Sequence, residues 1–172
     1  MAFIPFLSGL HLLGAALGCA GITFAEILYL MATKDGRIDT REQSYIRSTY
    51  WAMKWGLSLA LLSGLLLTIM QYQAALPNQV VMYSALWMQD ALALFIIFSG
   101  WALAAKRASW WFATAVSFSA WWMMLLLHAW LTIPLSFASL FFLYVLFVAA
   151  TAIILGYVRT VFHPDSAHTV SN

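Results

Sequence analysis

Four ionisable side chains, His11, Glu26, Asp90 and His128, lie inside long apolar runs of a 172-residue chain in which only 8% of residues are charged. Such a group costs about 3 kcal/mol at the centre of a bilayer, and it persists there by facing a protein interior where it pairs, ligates or relays protons. Two histidines on different helices suit a haem or a metal ion held between them, and a nearby carboxylate suits charge tuning or proton delivery. Counting about 1.5 Å per residue from Phe3, Val80 and Pro134, His11 lies about 12 Å deep, Asp90 about 15 Å and His128 about 9 Å, all from one side. His11 and His128 are therefore the expected cofactor ligands. Asp90 is the third candidate for a metal site and the candidate carboxylate of a cation path.

The surroundings of the two histidines bear on which cofactor they would hold. Gly14 and Gly18, one and two turns from His11, would leave a porphyrin flat space, and with Gly21 and Ala25 they also form the small-residue stripe that lets two helices approach closely. Both readings stay open. On the fourth run Trp121, Met124 and His128 share a helical face that could line the same cofactor. Haem b is the expected group and a metal ion the alternative. Met70, Met82, Met88, Met123 and Met124 are numerous enough to suggest soft copper ligands, but no Met-x-x-Met or His-x-Met cluster supports that, and adaptable packing is the better account of them. Glu26 lies near the opposite boundary at the depth of Lys54, which predicts a Glu26–Lys54 ion pair, with a proton relay as the alternative.

These side chains are positioned by five apolar runs, at residues 3–31, 50–72, 80–105, 110–131 and 135–157, each near the roughly 20 residues a membrane helix needs. With 64% hydrophobic residues and a mean hydropathy of +0.87, the expected fold class is all-α, an integral membrane bundle of five transmembrane helices forming one domain. Five spans place Lys34, Arg37, Arg41, Arg47, Lys54, Lys106, Arg107 and Arg159, every cation of the chain, on one side. The positive-inside rule then predicts an outside N-terminus, a cytoplasmic loop at 33–48 and a cytoplasmic tail at 159–172 in a bacterial-type inner membrane. Tryptophans and tyrosines gather at the same boundary, as interfacial anchors do.

In the polar loop, Asp39 followed three residues later by Glu42 predicts a capping box that starts the second helix two to three turns before the bilayer. The same segment matches the second half of an EF-hand loop but lacks its first carboxylates, which argues against calcium. The first run has no basic n-region or cleavage site and reads as a permanent span. Cys19 cannot form an internal disulfide and reads as a packing residue. A net charge of +2 is no argument for nucleic-acid binding in such a chain. Motifs of soluble enzymes, such as a P-loop, HExxH, GxSxG or CxxC, are missing.

The segment Leu10-His11-Leu12-Leu13-Gly14 with Gly18 resembles the first helix of two groups of small bacterial membrane proteins, the CopD-like copper-resistance proteins and the HemJ-type protoporphyrinogen oxidases. The resemblance covers the first helix only. It implies that His11 is a metal ligand in the first case and an axial haem ligand in the second. The expected function is accordingly haem b or metal binding for electron transfer or cofactor handling. A proton-coupled transporter using Asp90 and Glu26 and a non-catalytic subunit of a larger membrane complex are the alternatives. The bilayer is the expected partner, together with a homo-oligomer or a larger complex.

Overall fold

The computed structural model describes residues 3–32, 39–74, 84–129 and 135–162, and these form five helices with no strand among the described residues. They are α1 (Phe3–Ala32), α2 (Thr40–Ala74), α3 (Ser84–Ala104), α4 (Trp110–Ala129) and α5 (Phe137–Phe162). All five are long and apolar enough to cross a membrane. The protein is a multi-pass integral membrane protein with an all-α fold. In hydrocarbon a helix is the one open element that satisfies its own backbone, so apolar runs of this length have no other stable form there.

Local signals set the helix ends. The Asp39 amide donates to Glu42 Oε2 at 2.9 Å and the Glu42 amide donates to Asp39 Oδ1 at 2.7 Å, a reciprocal capping box that opens α2. Residues 40–48 of the expected cytoplasmic loop are helical, as the capping box predicts, while 33–38 lie outside the described residues. Ser109 and Ser136 cap α4 and α5, their hydroxyls accepting from the amides of Phe112 and Ser139. Helix α3 closes with the Arg107 amide donating to the Ala102 carbonyl and the Lys106 amide to that of Leu103. This is a Schellman turn with Lys106 in the left-handed region at φ 54°. Helix α5 continues past residue 157, where the apolar run ends, to Phe162, and so carries Arg159 on its last turn. Residues 163–172 of the expected tail lie outside the described residues.

Helix α4 is the centre of the bundle and packs against α1, α3 and α5, while α2 packs along α1. Trp121, Met124 and Leu127 of α4 are fully buried with Met88 and Leu92 of α3 and Leu140 of α5. Polar contacts lace α4 to α5: Ser119 Oγ donates to Thr151 Oγ1 at 2.9 Å, the Tyr144 hydroxyl to the Val116 carbonyl at 3.1 Å, and Trp111 Nε1 to the Ala152 carbonyl at 3.2 Å. Each satisfies a group that lipid could not. Large apolar side chains such as Leu62, Phe98, Phe142 and Ile153 cover the outside.

The α1–α2 contact is backbone on backbone. A Cβ added at Gly14 would stand 2.6 Å from the Ala60 amide nitrogen, and one at Gly56 would stand 2.8 Å from the Gly14 carbonyl oxygen. Here the neighbouring atoms are main chain and cannot rotate away, so only glycine fits. Around Gly9, by contrast, nothing lies within 4 Å of an added Cβ. Gly14→Ala is therefore expected to destabilise the protein by about 1–3 kcal/mol through overpacking. Gly9→Ala should be neutral or stabilising by up to about 1 kcal/mol through helix propensity. Thermal unfolding of both variants in one detergent checks the contrast; equal effects would mean that α1 and α2 do not cross at Gly14.

Candidate functional site

His11 reaches its position because the glycine crossing brings α1 against the backbone of α2. Its Nδ1 lies 2.8 Å from the carbonyl oxygen of Ala60, and a carbonyl only accepts, so Nδ1 carries the proton. In the neutral ring Nε2 is then a bare lone pair. That Nε2 is buried and has no hydrogen-bond partner among the described residues. His128, near the C-terminal end of α4, meets it ring against ring, with centroids 5.2 Å apart and planes inclined by 36°. Its Nδ1 is also buried without a partner. Gln89 Nε2, Trp121 Nε1 and Trp122 Nε1 share that condition, and so does Arg159 Nε at the basic end. Buried polar atoms are nearly always satisfied, so this concentration on facing helices marks the half of the bundle away from the basic residues.

Asp90 stands on the exposed face of α3, in line with Trp87 and Leu94, and lies within electrostatic range of His11. Among the described residues no third histidine, cysteine, aspartate or glutamate joins the pair as a closed ligand set. Met124, one turn from His128 on the same face of α4, is 2% exposed and offers a thioether donor from inside the bundle.

The glycine stripe is filled by protein. Gly14 faces the α2 backbone, and a Cβ at Gly18 would collide with the six-membered ring of Trp121. The flat space expected beside His11 thus holds α2 on one side and the Trp121 indole on the other. Spacing of the rings bears on the same question. With metal–nitrogen bonds of about 2.0 Å, two imidazoles bound in line to one ion stand roughly 6 Å apart centre to centre, and roughly 5 Å apart at a tetrahedral angle. The observed 5.2 Å falls at the bent arrangement.

Glu26 pairs with a different cation from the one expected. Arg159 Nη2 donates to Glu26 Oε2 at 2.7 Å and to Thr114 Oγ1 at 3.0 Å, which ties α5 and α4 to α1 at the basic end. Its guanidinium also lies 5.7 Å from the centre of the Tyr29 ring. Lys54 instead turns outward, its Nζ 4.8 Å from the Tyr50 ring centre and 5.3 Å from that of Trp51. Depth alone did not separate the two cations. The signal that could have done so is the lipid-exposed aromatic pair beside Lys54, which offers its ammonium a cation–π site.

No protein-family model, curated protein or solved structure matches the chain. Arg159 and Glu26 have side chains 15% and 6% exposed, and removing one member of such a buried pair leaves the other uncompensated. Arg159→Ala should lower stability by about 3 kcal/mol, and the neutral double variant Glu26→Gln/Arg159→Met by clearly less. A double-mutant cycle from thermal unfolding tests this; additive losses would contradict a coupled pair.

Proposed function

We propose that the protein is a membrane metal-handling protein that holds one copper(I) ion between His11 and His128. The carrying observation is the pair of imidazoles in ring contact, each with a buried nitrogen that has no partner among the described residues, one of them fixed as a lone pair by the Ala60 carbonyl. A ligating histidine commonly has its other nitrogen held by a backbone carbonyl, because that hydrogen bond fixes both tautomer and ring orientation. Copper(I) suits the site on three counts. It tolerates two or three ligands, it accepts imidazole and thioether together, and a single positive charge costs less to bury than a double one. His11 and His128 supply nitrogen, and Met124 the soft third donor.

Haem b is the weaker reading, because Trp121 and the α2 backbone occupy the faces of Gly14 and Gly18 and the rings stand closer than in-line axial ligation needs. The transporter reading is weakened by the engagement of Glu26 with Arg159. Segregation of the cations supports an outside N-terminus, a cytoplasmic C-terminus and a bacterial-type inner membrane, which puts the site in the outer half.

After loading with copper(I) under reducing conditions, the wild-type protein in detergent should retain about one copper per chain, and His11→Ala and His128→Ala should retain almost none. Met124→Leu should weaken binding about tenfold, the loss of one soft ligand. Elemental analysis after gel filtration reads all three. Unchanged copper in both histidine variants would overturn the proposal, as would a Soret band in place of bound copper.

A further inference from the structure

Helix α2 is longer than a bilayer requires. Its 35 residues extend about 52 Å, against a hydrocarbon thickness of about 30 Å. Counting about 20 residues back from Ala74 puts the hydrocarbon boundary near Lys54. Around that level Arg47, Tyr50, Trp51, Lys54 and Trp55 recur at spacings of three and four, so they form one stripe, and all five are exposed. The opposite stripe, Gly56, Ala60 and Ser63, is the one buried against α1. The aromatic stripe therefore faces away from the bundle.

Among the described residues neither of its two cations is ion-paired with a carboxylate. Among the described residues the carboxylates of this end are Glu26, bound by Arg159 at 2.7 Å, and Asp39 and Glu42, engaged in the capping box. Glu42 lies about 18 Å along the helix from Lys54, well beyond contact. Lys54 is held by the Tyr50 and Trp51 rings, which orient the ammonium and supply no negative charge. What meets this stripe at this depth in a membrane is the phosphate layer.

We infer that this stripe binds an anionic phospholipid. The headgroup phosphate is bound by Lys54 and Arg47, and the glycerol and upper acyl region lie along Trp51 and Trp55. Charge complementarity and depth select the anionic lipid over a zwitterionic one, whose own cation would compete for the phosphate. The large apolar rings select a lipid over free phosphate. The inference stands independently of the copper site.

The test is native mass spectrometry of the full-length protein from detergent micelles mixed with phosphatidylglycerol or phosphatidylcholine, with inorganic phosphate as a third arm. The wild type should retain phosphatidylglycerol in preference to phosphatidylcholine and show no effect of phosphate. Lys54→Gln and Arg47→Gln should each lower phosphatidylglycerol affinity about fivefold. Lys54→Arg should keep it, and Arg41→Gln, off the stripe but equal in charge change, should leave it unaltered. Equal retention of the two lipids by the wild type would overturn the inference. So would an Arg41→Gln loss matching that of Lys54→Gln, or competition by inorganic phosphate.

Discussion

The backbone contact between α1 and α2 is the interaction on which the rest depends. Gly14 and Gly56 let the two main chains approach until a single added carbon would strike a peptide group. That approach places the Ala60 carbonyl within reach of His11 and fixes the tautomer of its ring. One turn further along α1, the missing side chain of Gly18 admits the Trp121 indole, and this seats α4 against α1. His128, two turns from Trp121, is thereby brought to His11. One stripe of small residues thus sets both the packing and the geometry of the candidate site.

A bilayer gives polar groups no partner, so the protein must supply one for each. At the basic end it does so with the Glu26–Arg159–Thr114 cluster, which joins three helices and cancels charge locally. Along α4 and α5 the hydroxyls of Ser119, Thr151 and Tyr144 are satisfied in the same way. The histidine end differs, since several buried nitrogens there have no partner among the described residues. Arg159 Nε is the one such atom at the basic end among the described residues, so most of the unpartnered polar atoms, and with them the capacity to bind, lie in the histidine half.

The five helices were legible in the sequence because hydropathy and helix length are tied by bilayer thickness, and because the placement of Lys and Arg supports the same number of spans. The capping box at Asp39 and Glu42 was legible as a local motif. Depth along each helix was enough to group His11 with His128, since rise per residue is constant. Rotation about the helix axis was less legible. Lys54 and Arg159 both lie within reach of the depth of Glu26, and only the packing of α5 on α4, together with the continuation of α5 to Phe162, decides for Arg159. The glycines were ambiguous for a chemical reason: a missing side chain admits a porphyrin, a helix or an indole equally well. Trp121 fills the space at Gly18, and the sequence alone named it only as a lining residue.

The central claim is that two imidazoles from different helices share one copper ion. X-ray absorption at the copper edge of the loaded wild-type protein tests it most directly, because outer-shell scattering from imidazole rings distinguishes histidine from other nitrogen or oxygen donors. The account predicts a low-coordinate copper(I) edge with two imidazoles at about 2.0 Å. A spectrum without imidazole scattering, or one fitted by sulfur donors alone, would contradict it.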